Sequence, residues 1–281
     1  MKEDKWDIEI APRSGLLELH LNELWRYRDL ILLFVRRDFV AVYKQTILGP
    51  IWFFVQPLLT TLTFVVIFGG FAGISTDNVP PLLFYLAGIA LWNYFADCFK
   101  TTSDTFISNS HIFGKVYFPR LAVPLSVVIS NLLKLGIQFL LFMGFYTYFI
   151  VTGANVQPNL YALLTPFLVL LMAFLGLGFG MIFSSLTTKY RDLRFLLQFG
   201  IQLLMYATPV IYPLSTIPEK YRLYLIANPI TSVIETFKYG FLGTGTFEWA
   251  YLGYSLGFTV VVFFTGLLLF NKIESTFMDT V

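Results

Sequence analysis

Long stretches without charge govern what this chain can become. Gln45 to Thr76 contains no Asp, Glu, Lys or Arg, and the same holds for Asn78 to Ala96, Phe195 to Pro218 and Trp249 to Asn271. Between Leu121 and Thr188 the single charge is Lys134. A hydrocarbon core of about 30 Å is crossed by about 20 apolar residues of helix. The runs therefore predict six spans, near 50–71, 81–99, 121–151, 160–186, 195–213 and 249–271. The longest run exceeds one crossing, and the polar stretch from Thr152 to Asn159 divides it. The expected fold is all-α: a cytoplasmic arm over 1–45 with an amphipathic interface helix, then a six-span transmembrane domain over 46–281 with a re-entrant helical segment before the last span.

Composition agrees and removes other classes. Hydrophobic residues make up 57% of the 281 and charged residues 13%, about half the charge of a soluble domain. A net charge of +2 leaves no electrostatic footprint for nucleic acid. Cys98 is the single cysteine and His20 and His111 the only histidines, so neither an internal disulfide nor a metal-ligand cluster is expected. Met1 to Arg13 is charged throughout, unlike the apolar core of a signal peptide.

Orientation follows from Lys and Arg. The arm carries Lys2, Lys5, Arg13, Arg26, Arg28, Arg36, Arg37 and Lys44; the loop after span two has Lys100, Lys115 and Arg120; the loop after span four has Lys189, Arg191 and Arg194; the tail has Lys272. On the other side stand only Lys220, Arg222 and Lys238. Both termini are predicted to be cytoplasmic. Within the arm, Ser14 suits an N-cap, and Leu17, Leu21, Leu24 and Trp25 fall on one helical face with Asn22 and Arg26 opposite, a pattern that suits a helix lying in the interface. Leu19 breaks the pattern. Beyond span five, Asn228-Pro229 opens a helical run to about Phe241, too short to cross. Irregular backbone at membrane depth is tolerated where protein covers it, so a re-entrant or surface-lying helical pair is expected.

Polar residues recur at helical spacing, three or four apart, within the spans. Span one has Gln56, Thr60 and Thr63, with Trp52 and Phe53 a turn earlier; span two has Asn93, Asp97 and Thr101; span three has Ser126, Ser130, Lys134 and Gln138; span five has Gln198, Gln202 and Tyr206. Residues four apart share a helix face. Such faces avoid lipid and meet a bundle interior or a wet path; the plainer reading is hydrogen bonding between helices. Four stripes in one small protein favour a conduit. The 31 Phe, 16 Tyr and 5 Trp exceed what interface belts need, and an aromatic face with a polar handle suits a sugar surface, although lipid-facing and core aromatics account for most of them. Lys134 would be costly without a partner, about 2.5–3.5 kcal/mol at a helix centre, and Asp97 is the expected one; a structural pair is preferred to a substrate contact. Gly69-x-x-x-Gly73 and Gly176-x-x-x-Gly180 permit close helix approach, within the chain or at a dimer seam. No GxxxxGK[ST] loop is present, since Gly114-Lys115 is followed by Val116, so energy for uphill transport must come from another polypeptide.

Several fragments together are similar to the type-2 ABC exporter permeases that move lipid-linked polysaccharides, among them O-antigen, capsule and teichoic acid permeases. They are Arg37-Asp-Phe-Val-Ala-Val-Tyr-Lys-Gln-Thr-Ile-Leu-Gly-Pro-Ile-Trp52, Lys115-Val-Tyr-Phe-Pro-Arg-Leu-Ala-Val-Pro124, Arg191-Asp-Leu193, Thr208-Pro-Val-Ile-Tyr-Pro213, Asn228-Pro-Ile230 and Glu274-Ser-Thr-Phe-Met-Asp279. The resemblance implies a homodimeric permease in the bacterial inner membrane, bound to two copies of an ABC ATPase that holds ATP and magnesium. No cofactor is expected in this chain, and no enzymatic activity. The resemblance implies that the interfacial arm and the loop near Thr102–Lys115 meet the ATPase. Ser103 and Asp104 suit caps there, and Phe106, Ile107, His111 and Ile112 offer a mixed docking face. It also places the conduit between subunits along spans one and five, making Trp52, Gln56, Thr60, Gln198, Gln202 and Tyr206 the candidate sugar path and the segment after span five an external gate. Arg36, Arg37 and Lys44 stand where cations would attract a lipid pyrophosphate, or where they simply anchor the cytoplasmic side. The expected cargo is undecaprenyl-linked polysaccharide, with O-antigen preferred over teichoic acid or capsule. A drug exporter of the same superfamily would need a closable cavity, and a membrane glycosyl or phosphoglycosyl transferase would need clustered carboxylates; Asp97, Asp104 and Asp192 are scattered.

Overall fold

The computed structural model describes residues 21–44, 46, 49–190 and 192–276. The predicted interface helix from Ser14 to His20, Gln45, Arg191 and the tail from Phe277 lie outside the described residues. The described chain is all-helical, 80% helix without strands. It runs α1 (Leu21–Arg26), α2 (Arg28–Tyr43), α3 (Trp52–Phe64), α4 (Pro81–Ser103), α5 (Thr105–Ser108), α6 (Ser110–Phe113), α7 (Ala122–Val151), α8 (Thr165–Lys189), α9 (Leu193–Tyr206), α10 (Glu219–Ile226), α11 (Pro229–Leu242) and α12 (Trp249–Thr276).

Five helical segments among the described residues are long and apolar enough to cross a membrane: Gly49–Phe71, Pro81–Ser103, Ala122–Val151, Leu160–Lys189 and Trp249–Glu274. The first of these is α3 extended by a wider π turn over Val65–Phe71. The predicted fifth span is different. α9 has 14 residues, about 21 Å at 1.5 Å per residue, and the chain then turns through Ala207 to Pro213. Pro209 ends it, because proline lacks the N–H for the next helical bond and pushes its predecessor out of the helical region.

α4 is the hub. Nearly its whole circumference is buried, from Leu83 to Ser103, by α7 and α8 over long stretches and by α3, α9 and α11 over shorter ones. Glycine sets the α8 contacts. A Cβ on Gly176 would stand 2.9 Å from Cys98 Cβ, and one on Gly180 would overlap Thr102. Since Cys98 and Thr102 are also four apart, the two helices touch along matched faces. On the opposite side of α8, Gly178 meets Phe263 and Gly266 of α12. This glycine motif is thus consumed within the chain. Gly73, by contrast, has open space around it and a φ of +63°, so Gly69-x-x-x-Gly73 closes no tight seam here.

The arm bends back onto the body. Leu24, Ile31, Phe34 and Val35 join a second core with Phe118, Leu121 and Ala122 at the start of α7. Trp25 is 72% exposed while its neighbour Leu24 is buried, so the two do not share one face as the apolar spacing suggested. The longer amphipathic element is α2, whose outer side carries exposed Leu32 and Leu33.

Candidate functional site

Two of the four polar stripes point out of the chain. On α9, Leu197 is buried, and Ile201, Leu204 and Met205 pack against the core. The opposite surface exposes Gln198, Gln202 and Tyr206 beside Phe195, Phe199 and Leu203. It is a mixed amide, phenol and apolar surface on a helix that touches only α4 and α8 appreciably. On α3, Gln56 and Trp52 are exposed and Thr60 is half-buried. The Thr60 hydroxyl donates to the Gln56 carbonyl at 3.0 Å, so its proton is spent on its own helix. α3 also packs on α4. The candidate path residues therefore lie on two helices seated on one hub, all with surface to offer except the half-turned Thr60.

The stripe on span three faces the other way. Ser126, Ser130 and Gln138 are buried on α7, which packs against α4. Ser126 Oγ donates to the Val123 carbonyl at 2.7 Å. Among the described residues, Ser130 Oγ and Gln138 Oε1 have no hydrogen-bond partner. This stripe is packing between helices of one chain and lines no outward surface. Lys134, on the same row, brings Nζ to 3.7 Å from Asp97 Oδ2 across the α4–α7 contact. Close by, Asn131 Nδ2 lies 3.8 Å from Cys98 Sγ.

At the cytoplasmic end, the loop after α4 is not one docking helix but two single turns, α5 and α6, broken at Asn109. Neither expected cap forms through its side chain. Asp104 holds the N-cap position of α5 without a side-chain bond; its Oδ1 stands instead in ion-pair range, 2.7 Å from Nε of Arg194 in the first turn of α9, without hydrogen-bond alignment. Ser103 is buried, and its Oγ donates to the Lys100 carbonyl at 2.7 Å. Phe106 has no exposed surface and stacks on Phe270 with centroids 4.7 Å apart, so it secures the loop. Ile107 and Ile112 are half-buried, whereas His111, Lys115, Val116 and Tyr117 are exposed. The exposed surface of this loop lies mainly over 111–117.

Arg36, Arg37 and Lys44 are exposed, but they are not equivalent. Arg37 Nη2 lies 2.8 Å from Asp38 Oδ1, and its guanidinium sits 4.7 Å over the Phe34 ring, which partly neutralises it. Arg36 and Lys44 carry the cationic character of this surface.

The outer segment holds what the sequence reading missed. α11 is buried all round except at Tyr239, and that burial includes Glu235 and Lys238. Asn228 starts it by accepting from the Ile230 N–H at 3.1 Å, and Gly243 ends it at φ 74°, a left-handed turn that suits glycine. Lys238 Nζ donates to the Pro209 carbonyl at 2.6 Å and stands 3.6 Å over the Phe84 ring. Glu235, one turn earlier, accepts from the Thr246 N–H at 3.1 Å. Burial pushes the Lys238 ammonium down although the Glu235 and Asp77 carboxylates favour its charge; burial likewise pushes the Glu235 carboxyl up against Lys238. The available signal was opposite charges three apart in an otherwise apolar helical run. Lys238 thus fastens the chain just after α9, and the Ser232–Ser255 contact and the Tyr146 hydroxyl on the Phe241 carbonyl fix α11 to α12 and α7.

Comparison with known proteins places this arrangement. Residues 29–242 match the model of the ABC-2 type transporter family. The chain is 29% identical over 253 residues to the O-antigen export system permease protein RfbA of Klebsiella pneumoniae, covering 89% of this chain and 94% of that one. A Myxococcus xanthus protein of the same name is 28% identical over 78% of this chain and 82% of its own. The polysialic acid transport protein KpsM of Escherichia coli is 24% identical over 83% and 89%. With its several apolar helices and a family match that spans the hub, both outward stripes and the outer segment, this chain belongs to the ABC-2 type transporter family of membrane permeases.

Proposed function

We propose that the chain is the membrane-spanning permease subunit of an ATP-driven exporter of undecaprenyl-linked polysaccharide, with O-antigen the preferred cargo, in the bacterial inner membrane. The observation that carries this reading is the outward surface of α9. Amides and a phenol alternate there with aromatic and aliphatic side chains, a surface unsuited to acyl chains alone and suited to the mixed faces of sugars. A second copy would set two such surfaces, with those of α3, around one passage. A long polymer cannot be enclosed in a pocket, so a continuous track of weak contacts is the physical requirement. Trp52, Gln56, Gln198, Gln202 and Tyr206 form that track, with Thr60 at its edge. The names of the relatives in Klebsiella and Myxococcus favour O-antigen; the polysialic acid transport protein keeps capsule as the next cargo.

In this reading the chain crosses six times, α9 and the turn after it forming the fifth crossing, and both termini are cytoplasmic. α2 lies in the interface with Leu32 and Leu33 toward lipid, and α10 with α11 form a re-entrant outer gate. Arg36 and Lys44 attract the lipid pyrophosphate from the cytoplasmic leaflet. No bond of the cargo is broken by this chain. Two copies of a separate ATPase, holding ATP and magnesium, dock against the exposed part of 107–117 and supply the work. Deleting the protein tests the reading: lipid-linked polymer accumulates on the inner leaflet and surface polysaccharide is lost. Normal surface polysaccharide in the deletion strain would refute it.

A further inference from the structure

We infer that the Asp104–Arg194 ion pair is the strut that carries movement of the ATPase-facing loop into α9, so that Arg194 is a positioning residue for transport. The inference rests on the proposed export function and adds the route by which force reaches the path.

Asp104 joins α4 to α5, and its Oδ1 lies 2.7 Å from Arg194 Nε, with the two side chains 31% and 32% exposed. Pairs fully in water contribute little; this one is two-thirds shielded, and its partners belong to different elements separated by two spans. The loop that bears Asp104 is stiff at its base. Phe106 is clamped against Phe270 and Phe113, and the Thr187 hydroxyl donates to the Ser103 carbonyl at 2.9 Å. Phe113, inside the 111–117 segment, packs on Phe106 with ring centroids 6.0 Å apart, so displacement of that surface reaches the turn that bears Asp104 through this contact and bypasses the break at Asn109.

The receiving helix is seated lightly. Leu197 is the one fully buried residue of α9, and its polar contacts gather at its ends. Arg194 anchors the inner end. At the outer end, Lys238 holds the Pro209 carbonyl, and Asn228 Nδ2 donates to Thr208 Oγ1 at 2.8 Å. A helix tied at both ends and free along one long side tilts when one tie moves. Tilting α9 shifts Gln198, Gln202 and Tyr206 together, which is what opening a path along that surface demands. A coupling of this kind needs a differential contact between two states, and a charge pair between separately moving elements supplies one.

The test uses the full transporter, this chain with its partner ATPase, in membrane vesicles loaded with lipid-linked polymer, measuring export and ATP hydrolysis side by side. Arg194→Gln is expected to leave ATP hydrolysis within about twofold while polymer exported per ATP falls by about tenfold, inside the range usual for coupling between sites. Arg194→Lys keeps the charge and is expected to retain most of the flux. Arg194→Asp sets two carboxylates together and is expected to stop export; adding Asp104→Arg restores it to within about threefold. The strut is overturned if Arg194→Gln exports at the wild-type rate per ATP, if hydrolysis falls in step with export, or if the exchanged pair reaches wild-type abundance without recovering export. A wild-type chain that neither captures the ATPase nor exports polymer would overturn the underlying function itself, an outcome visible before any variant is read.

Discussion

α7 and α9 carry nearly the same text and do opposite things with it. Each places hydroxyl or amide side chains four residues apart on an apolar cylinder: Ser126, Ser130 and Gln138 on α7, Gln198, Gln202 and Tyr206 on α9. On α7 the row is sealed against α4; on α9 it is turned outward. Helical spacing decides that a face exists. What that face meets is decided by its flanks. α7 sets Val127, Asn131 and Leu135 beside its stripe, all buried with it. α9 sets Phe195, Phe199 and Leu203 beside its own, all exposed, while a separate row of Leu197, Ile201 and Leu204 seats the helix. The α7 row, Gln138 included, closes a seam within the chain, whereas the amides and phenol of α9 stand open among exposed aromatics.

That contrast breaks most forcefully at Lys134, the one charge in the α7 row. Lys134→Asp would face Asp97 with a second carboxylate at an intramembrane contact, and the loss is expected to be about 3 kcal/mol, the cost of an unpaired charge at such depth. Membrane abundance and thermal unfolding in detergent read it. Combining Lys134→Asp with Asp97→Lys should restore both; a doubly exchanged protein no better than either single one would remove the pairing from the account of α7. Next comes a matched pair of enlargements. Ser130→Phe overfills a closed seam and is expected to cost about 1–3 kcal/mol, whereas Gln202→Phe enlarges an open surface and should stay within about 0.5 kcal/mol. Equal unfolding temperatures for the two would erase the distinction between a sealed and an outward stripe.

The sequence made the helical class and most of the long apolar segments legible because hydrocarbon allows few solutions: every backbone group must be paired internally, and charge-free length is then nearly sufficient. The end of α9 was less legible, since Pro209 stops the helix within a run whose hydropathy continues to Pro218. The loop after α4 departs from its local pattern at Ser103, Asp104 and Phe106 for one reason. Local pattern proposes a cap or an apolar face, but a distant residue can claim the side chain first, as Arg194 claims Asp104 and Phe270 claims Phe106. Glu235 and Lys238 were less legible because a re-entrant or surface-lying helical pair does not by itself say which charges are enclosed, and α11 proves the most completely enclosed helix among the described residues.

Smaller effects sharpen the comparison from the α9 side. Gln198→Leu with Gln202→Leu should leave unfolding within about 0.5 kcal/mol, as expected for exposed substitutions, while export slows several-fold because the path loses its amide donors and acceptors. A fall in abundance comparable to that of Ser130→Phe would mean that the α9 amides are glue after all.

The smallest effect is expected at Thr60, which stands between the two cases. Its hydroxyl proton is already committed to the Gln56 carbonyl one turn back, so it can offer a passing sugar only an acceptor, and its surface is half covered. Thr60→Val keeps the branched shape and removes that acceptor together with the hydroxyl's bond to the Gln56 carbonyl, which still accepts within the helix. Export should stay within about twofold of wild type and stability within about 0.5 kcal/mol, since neither a cavity nor an orphaned polar group is created. A loss matching that of the Gln198 and Gln202 double substitution would show that α3 reads its cargo through this oxygen, and the track would then be built as much from α3 hydroxyls as from α9 amides.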